Sequence, residues 1–415
     1  MAHILLFEVP GGNDFTVLED ALADGHVVTF LTGDVARYTA MGEPVRATLS
    51  RFRQIIEISP YDYAALERLV RAAHARTPFD ALICILDIRI IDASLLAHAL
   101  GLRFLSVDCA RLARDKYNVR KRLACFGVRQ PRFALAQSAQ DLPRAVSHVG
   151  YPAVVKPADG YGSQNVHILR SDADLDALVD ALERSCETPL DYGLGVRANN
   201  RLSVEQFIEG NLVGCDIFSD GDERLLLGVN DKRMYPPPSF AIRGSCFPTD
   251  RFDRAALERY SFSILDAMGF NFGAAHIEMV VTEEGPWLIE VNPRLVSAQI
   301  PFQMAYAFER SIYSDLINLH LGQPVGSIRG LPAPWFSAIR WIVADRHARL
   351  EGVDLPRQID RQVRRVVLFK EAGDMVAPAL SNADRLGYVI AVGETQPQAE
   401  QIADEYVAGC RVRLG

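Results

Sequence analysis

The chain has 415 residues, 49% hydrophobic and 23% charged, the composition of an ordinary globular protein with more length than one hydrophobic core usually supports. Its formal net charge of −8 argues against a nucleic-acid binder, which would carry a basic patch or stripe, and leaves small-molecule partners as the default. No run of about 18 uncharged apolar residues exists, and MAHILLFEVPGG lacks the basic start and cleavage site of a signal peptide, so a cytoplasmic protein without a membrane span is expected.

His3–Phe7 predicts a short strand, followed by a Gly-Gly turn and the helical TVLEDALADG, with a second strand at Val27–Leu31. ALICIL and RFLSV repeat the pattern around ASLLAHALG, which makes residues 1–110 a parallel α/β domain. Gly11-Gly12 lacks G-x-G-x-x-G and reads as a plain strand-to-helix turn. Ala110–Val128 reads as one basic amphipathic helix stopped by Gly127. Segments 132–200 and 201–330 mix strands and helices, and 331–415 reads as a small α+β cap with VRRVVLFK, GYVIAVG and a helical QPQAEQIADEYVAG. The seven cysteines are never paired as C-x-x-C, which fits reduced thiols better than disulfides or zinc.

Four stretches carry chemistry. In YPAVVKPADGYGSQNVHILR (Tyr151–Arg170) a strand delivers Lys156 into a glycine-rich turn, and VHIL resumes as a strand. Gly160, Gly162 and Ser163 can present backbone N–H groups to an anion, with Lys156 as a point charge at the base of the hairpin. The lysine precedes its glycines, so this is not a P-loop. In FGAAHIEMVVTEEGPWLIEVNPR two apolar strands flank a turn, and a hairpin centred on Glu284 sets Glu278 opposite Glu290, with Asn292 on the same face. Facing carboxylates destabilise a sheet unless something compensates them. A divalent cation does so, because two carboxylates and an amide oxygen suit Mg²⁺ completed by phosphates. Arg294 follows as a candidate for the transferred phosphate. SVEQFIEGN runs from strand into turn, with Glu205, Phe207 and Ile208 suited to an adenine edge. Lys116 lies in the basic stretch ARDKYNVRKRL. Taken singly, each has an ordinary structural counterpart: a surface turn, a solvated sheet face, a strand end, a basic helix.

In this order, Asp115-Lys116, VVKP with its glycine loop, VEQFIEG, and GxxHxE with LIEVNPR resemble the ATP-grasp superfamily of carboxylate–amine ligases across about residues 110–300. The resemblance implies an ATP-grasp fold of mixed α/β and α+β class, with an N-terminal parallel α/β domain (1–110), a small lid lobe with linker helix (111–200), a large metal-bearing lobe (201–330) and the C-terminal cap (331–415). It implies ATP and Mg²⁺ or Mn²⁺ as cofactors. Lys116, Lys156 and, less firmly tied to a motif, Lys232 fall to the phosphates, and Gly160, Gly162 and Ser163 to the cover over them. Glu205, Phe207 and Ile208 fall to adenine, Glu278, Glu290 and Asn292 to the metal, and Arg294 with Lys156 to the transferred phosphoryl group.

GxxHxE with EVNPR is most similar to the L-amino-acid (dipeptide) ligases of bacilysin and dapdiamide type, which points to amide-bond formation in specialised metabolism. The chain departs from them where an acid and a histidine are usual. Ile242 and Ser245 stand there, Arg243 is nearby, LVSAQIP with Ser297 replaces a glycine-rich run, and the ribose-binding acid usual near Leu212 is missing, though Asp216 is close. Arg243, Ser245, Arg294 and Ser297 are therefore the substrate-side candidates, with an acidic or acylated donor expected. The partners expected are a small carboxylate and an amine, with no nucleic acid and no membrane; a homodimer is compatible. The rivals are a carboxylase or formate-type ligase using the same acyl-phosphate chemistry, and a non-catalytic nucleotide-binding scaffold.

Overall fold

The computed structural model describes all residues except 11, 161–164, 185–190, 194–195, 198, 236–240 and 358–359. The first sheet is parallel, in the order β3 (Gln54–Glu57), β2 (Val27–Thr32), β1 (His3–Phe7), β4 (Ala81–Ile83). β3 escaped the sequence reading because QIIE is too short and too polar at its ends to show a period. The strand expected at RFLSV does not form. Leu105 and the neighbouring Phe104 leave the sheet and pack into the core of the following segment.

A second, antiparallel sheet runs β5 (Phe133–Ala136), β10 (Leu202–Gln206), β6 (Ala153–Pro157), β7 (His167–Leu169). β6 and β7 pair antiparallel, as the expected hairpin requires, while residues 161–164 of the glycine turn lie outside the described residues. β8 (Asp191–Gly193) and β9 (Val196–Arg197) make a separate ribbon.

The third sheet has eight strands. Its order is β15 (Gly285–Asn292), β14 (Gly273–Thr282), β11 (Asn211–Ser219), β12 (Arg224–Met234), β13 (Ile242–Phe247), β16 (Phe336–Val343), β20 (Arg385–Gly393), β18 (Val363–Leu368). The strands after residue 331 thus extend the sheet that carries the glutamates. Helices Arg254–Met268 and Gln396–Ala408 cover one face. The other face is polar over β11, β12 and β14, and the helix Ile300–Phe308 packs on it further along. β17 (Ala348–Asp354), β19 (Met375–Val376) and β21 (Arg411–Leu414) form a small outer sheet.

Ala110–Val128 is two helices, Val107–Ala113 and Lys116–Cys125. Asp115 breaks it: its side chain accepts from the Asn118 amide, satisfying an N–H that a helix start otherwise leaves open. Lys116 thereby sits on the first turn, and Arg120, four residues on, shares its face. Among the described residues no helix is long and apolar enough to cross a membrane. The six described cysteines are free thiols; Cys186 lies outside the described residues.

Candidate active site

Glu278 and Glu290 are paired across β14 and β15, though not by the hairpin centre expected. The turn is the two residues Glu283-Glu284, closed by Thr282 opposite Gly285, and that register alone would set Glu278 against Ile289. A β-bulge shifts the ladder by one between Met279 and Glu278 and restores the glutamate pair. The Ile289 carbonyl at the bulge accepts from Arg120 Nη2 (2.9 Å) and Lys156 Nζ (3.4 Å), which come from outside the sheet. One irregularity therefore aligns two carboxylates and anchors two cations.

Each glutamate has its own lysine. Lys116 Nζ lies 3.2 Å from Glu290 and donates to the Gly160 carbonyl at 2.5 Å, so it joins the glycine loop to the large sheet. Lys232 Nζ donates to Glu278 at 2.6 Å. The carboxylate repulsion foreseen in the sequence is thus answered here by lysines. Burial favours the neutral acid at Glu278, but Lys232 and the contact with His276 outweigh it and hold its pKa well below the usual range.

Lys156, on β6, is buried 3.0 Å from Glu205 on β10. Lys156 pairs with Ser203, and Glu205 stands two residues from Ser203, so both project from one face. The Glu205 carboxylate also takes Arg120 Nη2 at 2.6 Å and the Ser203 hydroxyl at 3.0 Å. Burial would raise its pKa, yet Arg120 and Lys156 overcome this and bring it down to about 2. Burial pushes the Lys156 pKa down, with Glu205 the main opposing influence. The Glu205 side chain is therefore committed to two cations. In this arrangement it holds Lys156 in place, and at the strand end the Phe207 N–H already donates to the Pro152 carbonyl, which leaves the backbone at Ile208 as the candidate hydrogen-bonding edge. Phe207 and Ile208 line a cavity of about 750 Å³ with Phe252, Val281 and Trp287, bounded by neither lysine nor the paired glutamates.

Behind Glu278 stands His276, buried, with Nδ1 2.8 Å from Asp216 and Nε2 3.3 Å from Glu278. Burial disfavours the imidazolium, but Asp216 outweighs it and raises the His276 pKa. Asp216, noted in the sequence near the expected ribose acid, is buried and turned to His276. Gly214 makes room for the ring: a Cβ there would lie 2.5 Å from His276 Cε1. Gly214→Ala is expected to lower the unfolding free energy by about 1–3 kcal/mol through overpacking. Because the displaced ring bears on Glu278, phosphate release should fall as well. Urea unfolding and a phosphate assay check both, and wild-type values in each would show that the ring has space to move.

Arg294 is tied down. Its Nε (2.7 Å) and Nη2 (2.5 Å) donate to Asp87 Oδ2, which follows β4 of the first sheet, and its Nη1 donates to the Leu295 carbonyl. The Glu290 charge also acts on it. Asp14, on the same side, accepts from the Ala298 amide (3.1 Å) and the Tyr313 hydroxyl (3.1 Å), and burial lifts its pKa to about 6. Asn292 is buried opposite His276. Ser297 is half-buried in the turn before the helix Ile300–Phe308. Ser245 lies opposite Lys232, but its hydroxyl donates to Gln303 Oε1 at 2.8 Å. Arg243 is exposed on a bulge of β13. Gly162 and Ser163 lie outside the described residues.

Sequence reasoning missed Arg120, Asp87 and the role of His276. Arg120 left a signal in its spacing of four from Lys116 on one helix face, and His276 in its place within GxxHxE. Among the described residues no cluster of three or more His, Cys, Asp or Glu side chains is arranged for a metal ion. Two carboxylates and an amide, all hard oxygen donors, nevertheless suit a magnesium ion that takes the rest of its shell from phosphates and water.

Residues 149–301 match the family described as ATP-grasp domain, and residues 340–415 match L-amino acid ligase C-terminal domain 2. The chain thus contains an ATP-grasp domain, followed by a segment that matches the C-terminal domain of L-amino acid ligases. It is 31% identical over 308 residues to the uncharacterized protein y4rH of Sinorhizobium fredii, covering 71% of this chain and 59% of that one. It is 27% identical over 241 residues to human carnosine synthase 1, covering 55% of this chain and 29% of that protein. The chain thus spans less than two thirds of either relative. The L-amino acid ligase of Bacillus licheniformis superposes with a TM-score of 0.80 at 18% identity, over 100% of this chain and 99% of that one, a likeness of fold.

Proposed function

We propose that the protein joins a carboxylate to an amine at the expense of ATP, with ADP and phosphate released. The observation that carries this reading is the set of matched charges, half-buried Lys116 with Glu290, Lys232 with Glu278 and buried Lys156 with Glu205, where the linker helix, the second sheet and the large sheet meet. A carboxylate is a poor electrophile at neutral pH, and phosphorylation supplies a leaving group. The donor carboxylate oxygen attacks the terminal phosphorus in line and ADP departs. The amine then attacks the acyl carbon, the C–O bond to phosphate breaks, and the amine proton is lost to solvent.

In this reading Lys116, Lys156 and Lys232 exchange their glutamates for phosphate oxygens, and the loop after Lys156 excludes water from the acyl phosphate. The backbone at Ile208 takes the adenine edge. Glu278, Glu290 and Asn292 hold magnesium or manganese, which when bound neutralises the developing phosphate charge. Arg294 stabilises the transferred group through donors that Asp87 orients. An amino acid as the amine and a dipeptide-like product of specialised metabolism follow the likeness of the terminal domain to L-amino acid ligases.

The test is a panel of carboxylates crossed with amines, read by phosphate release and product mass. Amide product with stoichiometric ADP is the expected result. ADP release driven by bicarbonate without an amine would make the protein a carboxylase, and ATP binding with no turnover anywhere on the panel would leave a scaffold.

A further inference from the structure

The active face of the eight-stranded sheet does not stop at Lys232. Lys232 is opposite Ser245, Ser245 is opposite Ile339, and Ile339 is opposite Ile390, so one face of the sheet runs from β12 to β20, covered in between by the helix Ile300–Phe308. Trp341, two residues beyond Ile339, stands two strands and two residues from Lys232, roughly 12 Å at the backbone from strand spacings of about 4.8 Å and rises of about 3.4 Å per residue.

This end of the surface is built from arginines and aromatic rings. Arg385 Cζ sits 3.6 Å from the centre of the Trp341 ring. Trp341 meets Tyr388 edge-on at 5.6 Å, and the Tyr388 hydroxyl accepts from Arg365 Nε at 2.9 Å. Arg365 in turn lies over Phe302 at 4.1 Å. Tyr235, three residues past Lys232, feels the charges of both Arg243 and Arg385.

Only tyrosines act in favour of the charges on Arg365 and Arg385. Asp384, the adjacent acid in sequence, is turned to the Leu380 and Ser381 amides. Burial pushes the Arg385 pKa down to about 10 with little to oppose it. Its Nη2 reaches the Ile242 carbonyl and Asn382, both neutral, while its Nε and the Trp341 Nε1 are buried donors with no acceptor among the described residues. Packing explains an arginine on a tryptophan. It does not explain arginines gathered around buried donors and supplied with no carboxylate among the described residues, because buried polar groups are ordinarily satisfied and like charges repel. Guanidinium groups in this setting match a planar oxyanion.

We propose that Arg385, with Arg243 and Arg365, forms an anion subsite that takes a substrate carboxylate not consumed in the reaction. This rests on the ligase reading and names the chemistry of its substrate. The carboxylate has two sources, the α-carboxylate of an amino-acid acceptor or the second carboxylate of a dicarboxylic donor.

The experiment titrates the whole chain, with magnesium and a non-hydrolysable ATP analogue, and reads heat of binding. One arm compares L-alanine with L-alaninamide, the other glutarate with pentanoate. One charged probe should bind at millimolar concentration and its neutral or mono-charged counterpart at least about tenfold more weakly, the scale of one charge-assisted hydrogen bond. Arg385→Gln and the exposed Arg243→Gln should each weaken the charged probe by about tenfold and leave the counterpart unchanged. The arm that responds identifies the source. Equal binding of both members of each pair, no binding of either charged probe, or full affinity in both variants with unchanged melting temperatures would overturn the subsite. Arg243→Gln keeps the test open if Arg385→Gln fails to fold. Intact, arginine-dependent carboxylate binding without turnover would refute the ligase reading alone.

Discussion

Glu290→Ala should reduce phosphate release by about 10²–10³-fold, the loss seen when one fixed electrostatic contact to a developing charge is removed. Glu290 is where three parts of the fold meet. It faces Glu278 across the ladder, it pairs with Lys116 at the start of the linker helix, and its charge acts on Arg294 four residues on. The alanine variant loses a hard oxygen donor and releases Lys116, so the terminal phosphate keeps its cations but loses the geometry that aligns it. Nucleotide affinity should change far less than turnover, since the freed lysine still attracts phosphate. Glu43→Ala on the exposed helix Glu43–Leu49 is the control, because that side chain pairs with Arg46 at the surface and its removal should leave turnover near wild type. Turnover near wild type in Glu290→Ala would overturn the metal and phosphate assignment.

Glu205→Ala should cost stability rather than chemistry alone. It strips the partner from Arg120 and from Lys156, both buried, and a buried ion pair broken from one side costs about 3–5 kcal/mol. The pH dependence gives the loss a signature. The Glu205 pKa is depressed from 4.5 to about 2, so its contribution is present in full above about pH 4.5 and is lost as pH falls toward 2. The gap in urea stability between wild type and variant should narrow as the pH drops below 4.5. A gap that stays constant with pH, or one below about 1 kcal/mol, would show that Arg120 and Lys156 find other partners. Phosphate release should also fall, because Lys156 loses the contact that holds it on β6.

Both outcomes depend on features with different visibility. The alternation of β14 and β15 and the turn between them brought Glu278 and Glu290 together on paper, yet the pairing depends on a bulge at Ile289 that no local pattern announced. A bulge is decided by what waits for its carbonyl, here Arg120 and Lys156 from other elements. The linker helix was legible as a basic amphipathic segment. Its break was legible too, since aspartate before a helical run is a capping signal, but it was read as continuous. Asp87 is, with Arg89, a charge in the otherwise apolar stretch ALICILDIRII, and its partner Arg294 stands more than two hundred residues later. His276 sat inside a recognised motif, but its bond to Asp216 joins two strands whose pairing is not written in either.

By itself the sequence determined the mixed α/β class, the glycine hairpin with its leading lysine, the facing glutamates and the family they indicate. These rest on short-range periodicity and on residue types that tolerate few alternatives. Tertiary structure alone decided how those charges are neutralised, that Arg294 is held by Asp87 just after the first sheet, and that the terminal strands continue the glutamate-bearing sheet to an arginine-rich end. Those are long-range pairings, set by which buried charge can reach which partner once the sheets have packed, and no window of neighbouring residues contains both halves.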